Sequence, residues 1–150
     1  MSTSRSATND DNAGIVGRER ERSRLGWLLD RALAGTGSLV LIGGQAGIGK
    51  TTLVEYTTQE AVKRGMLVLS GGCYDLTKAP PYAPWTEMLR TYPGGKRDLP
   101  PLPEELRSTD RLENVGSLER FFQIVAGFVA DVAAAQPLVL VLEDLHWSDA

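Results

Sequence analysis

The fold of this chain is decided by residues 43–52, which read Gly-Gly-Gln-Ala-Gly-Ile-Gly-Lys-Thr-Thr and follow the apolar run Leu39–Ile42. Within them, Gly44 to Thr51 match a glycine, any four residues and then Gly-Lys-Ser/Thr, which is the pattern of a P-loop. The glycines let successive backbone N–H groups converge on phosphate oxygens. Because an apolar run precedes the pattern and a helical pattern follows it, we predict a phosphate cradle rather than a chance glycine-rich turn. The predicted phosphate-binding residues are Gly44, Gln45, Ala46, Gly47, Ile48, Gly49, Lys50, Thr51 and Thr52.

Two side chains of the P-loop carry its predicted chemistry. Lys50 can reach the β- and γ-phosphates of a nucleotide as a point charge, so we predict a catalytic role for it. The hydroxyl of Thr51 is a hard oxygen ligand that suits Mg²⁺. The helix predicted to follow adds the positive end of its dipole to the same place. The P-loop therefore predicts a bound nucleotide, and the acids Glu143 and Asp144 farther along the chain make ATP and Mg²⁺ the predicted ligands.

A pair of acids follows a second apolar run, Leu138–Leu142. Glu143 and Asp144 would stand at the carboxyl end of a buried strand, and in an open parallel sheet that edge is where ligands bind. Adjacent strand residues point to opposite faces, so the two acids can divide Mg²⁺ ligation and water activation between them. We predict both as catalytic and metal-binding residues and leave open which acid takes which task. A solvated strand end or a helix N-cap is the alternative interpretation of such a pair.

The periodicity of the chain predicts an α/β fold. Continuous apolar runs of this length are typical of strands that are covered on both faces, and strand, helix, strand in this spacing implies a parallel sheet. Strands are predicted at about 38–42, 66–70 and 138–142, and helices at about 18–34, 50–64, 85–92, 104–112 and 118–132. We therefore predict a P-loop NTPase fold with three α/β/α layers.

Composition and domain organisation fit one soluble domain. A net charge of -3 without a basic block gives no reason to expect nucleic-acid binding by this segment. A lone cysteine, no membrane-length apolar run and no signal-peptide core predict a cytoplasmic protein. We expect a disordered leader at 1–13 and a domain at 14–150, with an irregular insertion at about 73–114. The chain stops soon after an apolar strand, so we expect an amino-terminal fragment, truncated after that strand.

Four motifs together resemble a known family. They are Val16-Gly17-Arg18-Glu19, the loop at 43–52, Pro81-Tyr82-Ala83-Pro84 and the stretch Leu142–Asp149, in this order. The resemblance is to the AAA-type ATPase domain of large ATP-binding LuxR-type transcriptional regulators, which are STAND-like signal-transduction ATPases. The domain is also similar to that of some adenylate cyclases and serine/threonine kinase-linked proteins.

The resemblance carries further implications for the site and for the rest of the protein. It implies an ASCE/AAA-like sheet, and it implies that Val16, Gly17 and Arg18 lie against the adenine base. Glu143 stands where Asp is commoner, which leaves direct metal ligation open. The family's proteins continue with a sensor strand, a lid, helical repeats and often a DNA-binding helix-turn-helix. The implied partners are thus the nucleotide and the rest of the same polypeptide, with homo-oligomerisation left open.

The sequence is compatible with three functions. The leading one is ATP–Mg²⁺ binding and slow hydrolysis as the nucleotide switch of a larger regulator. The first alternative is a P-loop kinase that transfers a phosphoryl group to a bound acceptor, although the insertion lacks the arginine-rich composition of such sites. The second is an incomplete fragment without independent activity, because such ATPases normally insert another strand between the P-loop strand and the acidic strand.

Overall fold

The computed structural model describes residues 17–72, 83–94, 99–107 and 118–144. The predictions for the leader at 1–13, for Val16, for most of the proline-rich turn and for the end of the stretch 142–149 lie outside these residues. The helices are α1 (Glu19–Leu33), α2 (Lys50–Lys63), α3 (Ala83–Arg90) and α4 (Leu118–Ala135), the strands are β1 (Leu67–Gly72) and β2 (Leu138–Glu143), and a 3-10 turn spans Glu104–Leu106.

The two strands form a parallel pair, as the sequence predicts. Their register runs from Leu67 opposite Leu138 to Gly72 opposite Glu143. The crossover between them contains α3 and α4. Both strands therefore end at the same edge, and Glu143 closes the ladder there.

Alternate strand positions pack into different hydrophobic clusters. Leu69 of β1 lies in a core built mainly by α3 and α4, whereas Val68 packs against a smaller cluster built from α1, α2 and Met66. This alternation follows from the two-residue period of a strand. The larger core consists of Leu69, Met88, Leu89, Tyr92, Leu106, Phe121, Val125, Phe128 and Val132.

The helices form where the apolar period predicts them. Phe121, Val125, Phe128 and Val132 recur at helical spacing and are the buried residues of α4. Helix α1 buries Leu25 and Leu29, and it is tied to the end of α2 by Arg64, which donates to the carbonyl of Gly26 at 3.0 Å.

The predicted strand at 38–42 is wrong for this structure. These residues join no strand ladder in the described part of the chain, and Leu39 and Leu41 are 88% and 77% exposed. A strand needs a neighbour that accepts and donates its backbone hydrogen bonds, and the sheet of the described residues contains β1 and β2 alone. The helix predicted at 104–112 is also reduced to the short turn at 104–106, with 108–112 outside the described residues.

In the described part of the chain, no helix is both long enough and apolar enough to cross a bilayer.

Candidate functional site

The P-loop leads directly into α2 through a left-handed glycine. Gly49 has φ 87° and is the N-cap of the helix, and no side chain caps the helix there. The first backbone bond of the helix runs from the Leu53 N–H to the Gly49 carbonyl at 3.2 Å. The N–H groups of the first turn precede that bond, so they have no intrahelical acceptor and can serve an anion.

The loop itself depends on glycine at Gly44. This residue has φ 154°, and a Cβ built on it would lie 3.1 Å from the Cγ2 atom of Ile48. Gly47 also takes a positive φ, 75°. Side chains at these positions would crowd or strain the concave backbone, which explains why the motif is rich in glycine.

The side chain of Lys50, at the end of the P-loop, reaches back to the beginning of the same loop. Its Nζ donates to the carbonyl oxygens of Gly44 and Gln45, both at 2.9 Å. Both acceptors are neutral, and the ion pairs of the described residues do not include Lys50. The ammonium therefore carries an unpaired positive charge at the N-terminus of α2, where a phosphate would be attracted.

Arg18 approaches the same loop from the start of α1. Its guanidinium donates to the backbone carbonyl of Ile48. The neighbouring Gly17 has φ 93°. Of the residues that the resemblance places against adenine, Arg18 thus contacts the P-loop, and the contact with adenine stays a prediction.

The acidic pair stands at the carboxyl end of β2 and lines a cleft there. Glu143 ends β2, and Asp144 follows it with φ 56°, a left-handed conformation that Asp tolerates better than most residues. Both are exposed and line a cleft of about 250 Å³ together with Ser70, Gly71, Gly72 and Glu87. The lining of this cleft includes no P-loop residue. Among the described residues, no hydrogen bond or ion pair joins Lys50 or Thr51 to either acid.

Glu87 was missed by the sequence reasoning. Its Oε2 atom accepts a hydrogen bond from the Gly72 N–H at 2.8 Å, so its carboxylate stands beside the carboxyl end of β1. The sequence predicts a helix there from its apolar residues, but a single acid on such a helix matches no motif. The signal that reveals Glu87 is its contact with a residue fifteen positions earlier in the chain.

A larger cleft, of about 460 Å³, lies between α1 and α2 and contains none of the predicted site residues. Its cationic side chains are already engaged. Arg22 stacks on the ring of Tyr56, with its Cζ atom 4.0 Å from the ring centre, and Arg64 forms an ion pair with Asp30 at 2.6 Å. We therefore place the candidate site at the P-loop and not in this cleft.

Comparison with known proteins identifies the family. The sequence model of the AAA ATPase domain matches residues 14–150. The chain belongs to the AAA ATPase domain family. An uncharacterised protein of Rhizobium meliloti (strain 1021) is 46% identical to it over 55 residues, which make up 36% of this chain and 5% of that protein. The match thus covers about a twentieth of the relative's length, and no solved structure matches the chain.

AAA ATPase domains generally bind ATP with Mg²⁺, and the loop geometry fits such a ligand. The uncapped turn at Lys50 supplies N–H donors, and the exposed Thr51 supplies a hydroxyl. The described residues contain no cluster of three or more His, Cys, Asp or Glu side chains that could hold a metal ion. Mg²⁺ does not require one, since it is usually held by one or two protein oxygens together with substrate phosphates and water.

Proposed function

We propose that this AAA ATPase domain binds ATP with Mg²⁺ and hydrolyses it slowly. The observation that carries the proposal is the position of Lys50, whose ammonium spans the P-loop at the uncapped N-terminus of α2. Its two hydrogen bonds go to neutral carbonyls, so phosphate oxygens can replace them with a stronger, charge-assisted interaction. Backbone donors, helix dipole and lysine then all act on the same anion.

The residues of the chain have separate tasks in this proposal. The N–H groups of 44–52 hold the phosphates, Lys50 neutralises charge on the β- and γ-phosphates, and Thr51 offers its hydroxyl to the metal. Bound Mg²⁺ supplies further neutralisation of the phosphate charge. Glu143 and Asp144 are proposed to complete the metal shell and to orient the attacking water. Both side chains are exposed, and which acid takes which task stays open.

We further propose that nucleotide state is a switch in a larger regulator of the LuxR-type, STAND-like class. Two observations support this role. The four motifs at 16–19, 43–52, 81–84 and 142–149 follow the order found in those regulators. Among the described residues, no hydrogen bond or ion pair joins Lys50 to the acidic pair, so hydrolysis would depend on a further rearrangement or partner. The rest of the same polypeptide is the proposed partner.

Titration calorimetry of the full-length protein with ATP–Mg²⁺ tests the binding proposal. Lys50→Ala should weaken the affinity by at least about tenfold, because the variant loses a charge-assisted contact with phosphate. Lys63→Ala is the matched control, since Lys63 lies at the other end of the 14-residue helix α2, roughly 20 Å away. Equal affinities of the wild type and Lys50→Ala would overturn the assignment.

Phosphate release tests the reaction class. The switch proposal expects release to water at less than about 1 s⁻¹, below the typical enzyme range. A kinase would instead release little phosphate and would label an added acceptor. Phosphoryl transfer to an acceptor that exceeds release to water would therefore contradict the proposal.

A further inference from the structure

Helix α3 is joined to the end of β1 by a hydrogen bond between the Gly72 N–H and the Glu87 carboxylate. The N···O distance is 2.8 Å, and the bond is partly buried. Gly72 is the register partner of Glu143 in the parallel ladder. The carboxylate of Glu87 thus holds the strand residue that lies directly beside the first acid of the predicted catalytic pair.

The backbone of α3 is itself held tightly against β1. A Cβ built on Gly71 would lie 2.1 Å from the carbonyl oxygen of Pro84, so only glycine permits this approach. Met88 and Leu89 of α3 are 1% and 5% exposed and lie in the larger core with Leu69 of β1. Because the helix can neither slide nor tilt without opening this core, the reach of Glu87 to Gly72 is fixed by packing.

The end of the β1–β2 pair needs such support. Strand ends fray easily, and β2 ends at Glu143 because Asp144 turns out of the strand in a left-handed conformation. Glu143, Asp144 and Glu87 line the same cleft, so a shift of the ladder end would move the two predicted catalytic acids relative to each other and to the P-loop.

We propose that Glu87 is a positioning residue, which fixes the end of β1 through Gly72 and thereby sets where β2 presents Glu143 and Asp144. The inference rests on the proposed ATPase function. A carboxylate is suited to the task because its hydrogen bond to a backbone N–H is stronger than that of a neutral acceptor.

Two conservative variants separate the hydrogen bond from the charge. Glu87→Gln loses the charge but keeps an acceptor oxygen at the same reach, whereas Glu87→Asp keeps the charge but is one methylene too short to reach Gly72. Arg90→Ala is the matched control, because Arg90 is an exposed residue at the end of the same helix. All are made in the full-length protein.

Hydrogen exchange in the absence of nucleotide and metal is the first measurement. Peptides that cover 67–72 and 138–143 should exchange about tenfold faster in Glu87→Asp than in the wild type, as expected for the loss of one partly buried hydrogen bond. Glu87→Gln should stay within about threefold of the wild type, and Arg90→Ala should match it. Equal exchange in all four proteins would overturn the proposal.

Steady-state ATP hydrolysis is the second measurement. Glu87→Asp should lower kcat by about tenfold with little change in KM for ATP, because the nucleotide is held at the P-loop. Glu87→Gln should recover most of that loss.

The reverse order, with Glu87→Asp active and Glu87→Gln impaired, would show a role for charge and would overturn positioning. A wild type that does not hydrolyse ATP would overturn the proposed function and this inference together, whereas an active wild type with an equally active Glu87→Asp would overturn the inference alone.

Discussion

The guanidinium of Arg18 donates a hydrogen bond to the backbone carbonyl of Ile48, so the residue that precedes α1 holds the middle of the P-loop. The two residues are 30 positions apart in the chain. A cation directed at a loop carbonyl restrains that peptide group, and the N–H of a planar trans peptide points away from its carbonyl. The motif at 16–19 and the P-loop at 43–52, which the sequence presents as separate signals, are therefore parts of one structural unit.

Removal of the Arg18 side chain should weaken nucleotide binding. In Arg18→Ala the P-loop loses a hydrogen bond to a charged donor, and we expect ATP–Mg²⁺ affinity to fall by about three- to tenfold. The affinity is measured by calorimetric titration. Arg24→Ala is the matched control, because Arg24 is an exposed residue of the same helix. An Arg18→Ala affinity equal to that of the control would show that the loop does not depend on this contact.

The left-handed glycine at the start of α2 should resist substitution. Gly49 has φ 87°, and an alanine held in this conformation costs roughly 1–2 kcal/mol. We expect Gly49→Ala to lower the free energy of unfolding by about that amount, as measured by urea denaturation.

A second glycine provides a control for which alanine should change the free energy of unfolding in the opposite direction. Gly127 lies inside α4, and a Cβ built there meets nothing within 4 Å. Gly127→Ala should therefore raise the free energy of unfolding by about 1 kcal/mol, the usual helix-propensity gain. A stabilising Gly49→Ala would contradict the left-handed N-cap.

The sequence predicts most of the helices and the paired strands because these depend on local periodicity. Helix α4 follows from the recurrence of Phe121, Val125, Phe128 and Val132, and β2 follows from its continuous apolar run. The hydrogen bond of Glu87 could not be predicted in the same way, since it requires α3 to be packed on a strand that is distant in sequence. An apolar run favours burial but does not provide a pairing partner, and the run at 38–42 is both unpaired and largely exposed.

The free energy of unfolding should fall at alkaline pH, in part because Tyr92 ionises. Burial raises the pKa of this phenol above its usual value of 10.0, and its hydroxyl donates to the Pro100 carbonyl at 2.7 Å. The folded state favours the neutral form, so the contribution is fully present below pH 10. It is lost as the pH rises above 10, because the unfolded chain ionises first.

Tyr92→Phe tests this dependence. At neutral pH the variant should lose about 1 kcal/mol of unfolding free energy with its hydrogen bond. Above pH 10 its stability should fall less steeply than that of the wild type, as followed by urea denaturation at several pH values. Parallel declines in the two proteins would mean that other groups cause the alkaline loss.

At residues 38–42 the structure differs from the strand that the sequence predicts. Leu39 and Leu41 are 88% and 77% exposed, so threonine at both positions should change the free energy of unfolding by less than about 0.5 kcal/mol. The same change should raise solubility, because it breaks an exposed apolar run of high β-propensity. Unfolding in urea and the solubility limit in ammonium sulfate measure the two effects.

Leu69→Ala is the reference for a buried strand position. Leu69 is 3% exposed in the larger core, and its truncation should cost about 2–5 kcal/mol. If Leu39→Thr with Leu41→Thr destabilises the protein to a similar extent, the run at 38–42 is buried in solution as the strand that its composition predicts. If the double variant remains as stable as the wild type, the exposure of this run is a property of the folded chain, and the P-loop is then anchored by α2 and Arg18 rather than by a strand of the sheet.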